Sequence, residues 1–183
     1  RDWLASAGLE TGKDAPIHGQ IKAYYHDNTG QGLWFTPYVA TPGGAPLSVR
    51  TTEYLIHRKG VFGDIGTKLG FNDITVGLWY ERNDFRQARR FYGLSSRTAP
   101  DRSGLDFQSM PLATQWDYQF KTDTIQYYVQ DKIALGALTI NLGWKGFDVR
   151  NEARPYVAGA LASGKIKATD WFQPHAGFTY RLG

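Results

Sequence analysis

Cysteine is absent from this 183-residue chain and methionine occurs once. Without a thiol there is no disulfide framework, no CxxC redox pair, no cysteine-type zinc site and no thiol nucleophile. Histidine is scarce as well. His18, His26, His57 and His175 form no HxH, HExxH or HxxxH pair, so the spacing of a histidine metal site or general-base motif is missing. No stretch approaches the roughly 18 uninterrupted apolar residues of a transmembrane helix. An excess of one charge is missing too: 21 Lys+Arg stand against 17 Asp+Glu, a net +4 too mild to imply a nucleic-acid partner. There is no GxSxG elbow and no SxxK. The glycines of Gly60-Val61-Phe62-Gly63-Asp64-Ile65-Gly66 fall at the wrong intervals for a phosphate loop and are followed by a strand pattern. The expectation is a protein that is not an enzyme and that holds no cofactor or metal. Arg1 in place of Met, the lack of a basic–apolar–small leader, and a strand-like end at Arg181-Leu182-Gly183 lead us to expect a piece of a longer protein.

Aromatic residues and glycine are plentiful: 11 Tyr, 10 Phe, 6 Trp and 21 Gly. Rings favour pleated, half-buried surfaces and glycine serves turns and close backbone approaches, a β-composition. Two-residue alternation follows. Leu138, Ile140, Leu142 and Trp144 share one face while Thr139, Asn141 and Lys145 share the other, which a 3.6-residue period would scatter. Phe172, Pro174, Ala176, Phe178, Tyr180 and Leu182 oppose Trp171, Gln173, His175, Thr179 and Arg181 in the same way. Ile74, Val76, Leu78 and Tyr80 alternate with Thr75, Gly77, Glu81 and Asn83, with Trp79 out of step, and Asp131 interrupts the greasy set from Ile125 to Leu135. About six strands are expected, at 18–27, 51–69, 73–91, 114–134, 137–150 and 169–182. Tight turns fall at Gly70-Phe71-Asn72 and Leu135-Gly136, and long polar connections at 28–50, 92–113 and 151–168. Strands well beyond the usual five or six residues, long loops at one end only, and rings near strand ends (Tyr25, Tyr80, Phe85, Trp144, Phe172, Tyr180) predict an all-β, antiparallel transmembrane barrel. Lipid offers no hydrogen bonds, so such a sheet closes on itself and turns its apolar side chains outward. A soluble sandwich shows the same alternation with the greasy face as its core.

Two clusters carry candidate chemistry. Arg82, Arg86, Arg89 and Arg90 with Phe85, Phe91 and Tyr92 suit an anion through guanidinium forks and stacking, or a solvated strand extension touching lipid phosphates. Trp34, Phe35 and Tyr38 suit a ring-bearing or sugar ligand, or plain loop packing. The ligand-binding candidates are therefore Trp34, Tyr38, Arg86, Arg89 and Tyr92.

Gly77-Leu78-Trp79-Tyr80-Glu81-Arg82 followed by Phe85 and Arg89 resembles a mid-barrel strand of TonB-dependent outer-membrane receptors. Tyr127-Tyr128-Val129-Gln130-Asp131-Lys132, Leu142-Gly143-Trp144-Lys145 and the run from Asp170 to Arg181 resemble further strands of that family, and His26 to Tyr38 its loop and return. The resemblance implies that residues 1–183 are a central part of one barrel domain of roughly 22 strands, with signal, TonB-contacting segment and plug domain absent. It implies energy-coupled uptake of a scarce ligand, ferric siderophore-like, cobalamin-like or an oligosaccharide, across the outer membrane of a Gram-negative bacterium. Its partners would be outer-membrane lipid, the ligand, and the TonB system acting through the plug. Lumen-lining side chains would be Arg58, Lys68, Glu81, Gln126, Gln130, Lys132, Lys145 and His175. A passive porin-like barrel, or a soluble carbohydrate-binding sandwich with Trp34, Trp116 and Trp171 as its platform, are the alternatives.

Overall fold

The computed structural model describes residues 1–12, 15–94 and 110–182. These form one antiparallel sheet of seven strands in chain order: β1 (Asp2–Glu10), β2 (Ile17–Thr36), β3 (Ser48–Leu69), β4 (Asn72–Tyr92), β5 (Ala113–Leu135), β6 (Leu138–Val157) and β7 (Gly164–Tyr180). The described residues contain no helix. The antiparallel order joins β1 to β2, β3 to β4 and β5 to β6 at one end of the sheet, and β2 to β3, β4 to β5 and β6 to β7 at the other. Both two-residue turns start on a glycine with positive φ, Gly70 at 63° and Gly136 at 65°. A left-handed first residue gives a turn whose twist matches that of the strands it joins.

Pairing carries the alternation across the whole sheet. Ile65 faces Val76, Val76 faces Val129, Val129 faces Trp144 and Trp144 faces Pro174, one row of apolar side chains on one face. Nothing covers this face: Ile65, Leu78 and Phe178 are 60%, 53% and 76% exposed. On β4 the apolar run spans Asn72 to Tyr80, about 30 Å along the strand and about 20–25 Å at a typical barrel tilt, the height of a hydrocarbon band. Trp3, Tyr25, Tyr80 and Trp171 cap that band on the long-loop side, and Trp3 and Tyr25 meet at 5.2 Å between ring centres. A small buried cluster, Ala45, Val49 and Leu94 with Leu33 and Leu47, sits at the long-loop end.

Several sequence expectations change. There are seven strands instead of six, because β1 was not expected: its outward residues include Ala5 and Ala7, whose contrast with Ser6 and Gly8 is slight. β2 continues through Gly30 and Gly32 to Thr36, and β6 and β7 extend to Val157 and back to Gly164, so connections 28–50 and 151–168 shrink. Beyond the apolar band both faces are polar, and such strands read as loops. The connection expected at 92–113 lies largely outside the described residues. Phe85 is not an interface ring; it stacks on Phe120 at 5.6 Å on the polar face. Trp79 also belongs to that face, where its Nε1 donates to Tyr24 Oη at 3.0 Å. Trp171 changes sides relative to expectation. The register shifts between Lys145 and Phe147, so the extra residue on β7 leaves Trp171, stacked on Tyr127, on the same side as Phe172, tilted on Trp144.

Candidate functional site

The face opposite the apolar band is polar along its whole height. Arg58, Lys68, Glu81, Gln126, Gln130, Lys132, Lys145 and His175 all fall on it by register. Its middle holds a network drawn from three strands. Tyr24 donates to Glu81 Oε2 at 2.5 Å, and Arg58 Nη2 donates to the same oxygen at 2.8 Å. Glu81 is 9% exposed, so a guanidinium and a phenol together neutralise and satisfy a carboxylate drawn out of water. Beside it Phe62, Trp79, Gln126 and Tyr128 line a recess of about 470 Å³. Gly60 and Gly77 seat the rings of Tyr24 and Tyr128: a Cβ there would lie 2.4 Å and 2.0 Å from ring carbons.

Nearer the long-loop end, the same face gathers Trp34 and Arg50 in one row and Thr52, Arg89 and Trp116 in the next. The Arg50 guanidinium carbon lies 4.2 Å from the Trp34 ring centre and 5.6 Å from that of Tyr38, and Arg89 lies 5.3 Å from Trp116. Trp34 Nε1, Arg50 Nε, Thr52 Oγ1 and Arg89 Nε are buried without a hydrogen-bond partner. Buried donors left unmatched cost free energy on the order of 1–3 kcal/mol each, and an acceptor-rich anion is the group that would recover it. Two guanidiniums held flat by rings present such donors in fixed directions.

The five ligand candidates from sequence are therefore divided. Trp34 and Arg89 share this patch, with Tyr38 beside it in the connection after β2. Arg86 is on the opposite face and is bidentate to Asp117, Nε to Oδ1 at 2.9 Å and Nη2 to Oδ2 at 2.7 Å. That pairing holds its guanidinium even more firmly charged than usual, and its guanidinium carbon lies 4.4 Å from the Tyr156 ring centre. Arg90 joins Asp117 at 2.6 Å and also bonds Glu53. Tyr92 is a correction: it is fully buried and donates to Glu53 Oε1 at 2.6 Å, so its ring offers no surface for stacking. Sequence reasoning had not selected Arg50 or Thr52, because each joins the site only through the register that sets Arg50 beside Trp34 and Thr52 beside Arg89. No group of histidine and carboxylate side chains among the described residues could hold a metal ion.

No family model matches the sequence, and comparison with curated proteins gives no match. Among solved structures, the ferric citrate transporter FecA in its unliganded form is similar, with a TM-score of 0.71 and 16% identity over 100% of this chain. The chain spans 25% of that transporter's length. At this identity the likeness concerns architecture: the all-β meander has the fold of a wall segment of a TonB-dependent receptor's outer-membrane barrel.

Proposed function

We propose that this chain forms part of the wall of an outer-membrane receptor barrel that imports an anionic ligand, such as a metal chelate, by energy coupled through a plug domain to the TonB system. The observation that carries the reading is the pair of buried, unmatched guanidinium donors, Arg50 Nε and Arg89 Nε, on the face opposite the uncovered apolar band. An outward face of uncovered aliphatic and aromatic side chains is stable only in hydrocarbon, which makes the other face the lumen. In that lumen Arg50, Arg89, Trp34 and Trp116 form the capture patch near the long-loop mouth, and Arg58, Glu81, Gln126 and Lys145 form a polar wall below it. The name of the structural neighbour, a ferric citrate transporter, supports a negatively charged chelate as the class.

The test is uptake of radiolabelled iron by cells carrying the intact receptor, supplied as ferric citrate or as a neutral ferric chelate. Replacing Arg50 and Arg89 together by Gln is expected to weaken half-saturation for the anionic chelate by about 100-fold, since each charge-assisted contact is worth roughly 1.5 kcal/mol or more. Unchanged half-saturation with equal surface expression would overturn the assignment of this patch.

A further inference from the structure

The connection between β6 and β7, Ala158-Gly159-Ala160-Leu161-Ala162-Ser163, carries no charge and only one side chain of any size. Its backbone groups are what hold it. Tyr118 Oη donates to the Leu161 carbonyl at 2.8 Å and accepts from the Gly159 N–H at 3.2 Å. Tyr118 lies on the polar face by its register with Gln87, the face of Glu81 and Arg89, and it is 1% exposed. The two bonds therefore draw the connection over that face, and they satisfy a phenol that burial would otherwise leave unpaired. Gly159 crosses Trp116 closely: a Cβ there would lie 2.6 Å from Trp116 Cβ and 3.0 Å from the Gln115 carbonyl oxygen. A side chain at 159 would displace the connection from the ring it rests on.

Trp116 is thus held from two sides, by the connection and by the edge of Tyr118 at 6.4 Å between ring centres, and only 6% of it is exposed. Tyr118 is in turn seated from below, stacked on Phe120 at 6.0 Å, with Phe120 stacked on Phe85 at 5.6 Å. The far side of the assembly is the capture patch: the Arg89 guanidinium carbon lies 5.3 Å from the Trp116 ring centre, and Arg89 Nε is buried without a hydrogen-bond partner. A ring whose plane is fixed in this way fixes the direction of the donors that lean on it, and a donor aimed in advance loses less freedom when it binds. We propose that Tyr118 is a positioning residue of the capture patch: its hydroxyl clasps connection 158–163 over the polar face, and through Trp116 the clasp sets the aim of Arg89. Tyr118 itself touches no ligand in this arrangement, since the connection covers it.

This inference rests on the reading of Arg50 and Arg89 as an anion site, and its test keeps the two apart. The intact receptor is purified in detergent, binding of ferric citrate is followed by quenching of intrinsic fluorescence, and a nitroxide on Ala160→Cys reports the motion of the connection. Tyr118→Phe keeps the ring and its stacks and removes both bonds. It is expected to turn the nitroxide spectrum from restrained to mobile and to raise the ferric citrate dissociation constant about tenfold, the effect of losing two hydrogen bonds. In an Arg89→Gln background the same substitution should change that constant by less than about twofold, because the group it misaims is already gone. A restrained label in Tyr118→Phe overturns the clasp. A mobile label with unchanged affinity, or equal losses in both backgrounds, overturns the positioning of Arg89, since a general loosening of the barrel acts alike on both. No ferric citrate binding by the unsubstituted receptor, or full binding after Arg50→Gln with Arg89→Gln, would contradict the anion-site reading and the positioning role with it, while the label still reports the clasp. If Tyr118→Phe does not fold, hydrogen exchange of the unsubstituted receptor decides. The Gly159 amide should exchange about 100-fold more slowly than that of the exposed Ala160, and equal rates overturn the clasp.

Discussion

Tyr24 reaches Glu81 because Gly60, across the strand, has no side chain for its ring to strike. With a Cβ 2.4 Å from Tyr24 Cζ, Gly60→Val must push the ring off its seat and break the 2.5 Å bond to Glu81. The expected cost is about 1–3 kcal/mol, read as a lower urea midpoint of the intact barrel. Asp131 predicts the opposite sign. It lies on the outward face between Ile74 and Leu142, and its Oδ1 is buried without a partner. Asp131→Val should raise stability by about 1 kcal/mol in the same measurement, since a carboxylate on the lipid side is unfavourable even near the rim. Glu152 supplies a pH dependence beyond the membrane band. A hydrogen bond from Arg154 holds the Glu152 carboxyl below its ordinary 4.5. A carboxyl whose folded pKa is lowered stabilises the fold fully above its unfolded pKa, and that contribution is lost as pH falls through the folded one. The urea midpoint should therefore drop below about pH 4, and Glu152→Gln should flatten that drop.

Strands were legible where one face was greasy and the other polar. From Ile74 to Tyr80 and from Leu138 to Trp144 the contrast sets both type and facing. It fails in β1, where alanine and glycine blur it, and in β2 past Asn28 and β6 past Asn151, where both faces are polar and cross-strand pairing alone holds the chain. Parity along β4 separates Arg86 from Arg89, yet grouping by sequence proximity had placed them in one cluster. Arg50 and Thr52 needed the β2–β3 and β3–β4 registers, which a single strand's pattern does not contain. Nor does it contain the bulge opposite Gly146. Deleting Phe172 should remove that extra residue and close the bulge, with Trp171 alone opposite Gly146, so that Asp170 still faces Phe147 and Lys165 and Lys167 stay beside Glu152 and Asp148. Because the chain has no cysteine, a single cysteine at position 167 reports its side cleanly, and its labelling by a water-soluble maleimide from outside the cell should persist in the deletion of Phe172; loss of labelling would contradict the bulge.

At the scale of the whole molecule, each strand pairs only with its neighbours in sequence, and β1 and β7 each keep one edge unpaired within the described sheet. Two open edges and an uncovered apolar face make a sheet that cannot rest alone in water. The 183-residue chain by itself should elute as an aggregate without detergent; a monodisperse β-rich monomer in plain buffer would favour the sandwich alternative. The central claim is that the apolar face meets lipid and the polar face lines an aqueous lumen. Its most direct test is a fluorophore on single cysteines at positions 74 to 81 of β4 in the intact barrel in bilayers, quenched by brominated lipid or by aqueous iodide. The account predicts a two-residue period, with 74, 76, 78 and 80 quenched by lipid and 75, 77, 79 and 81 not. Iodide quenching at the even positions, or no alternation, would contradict it.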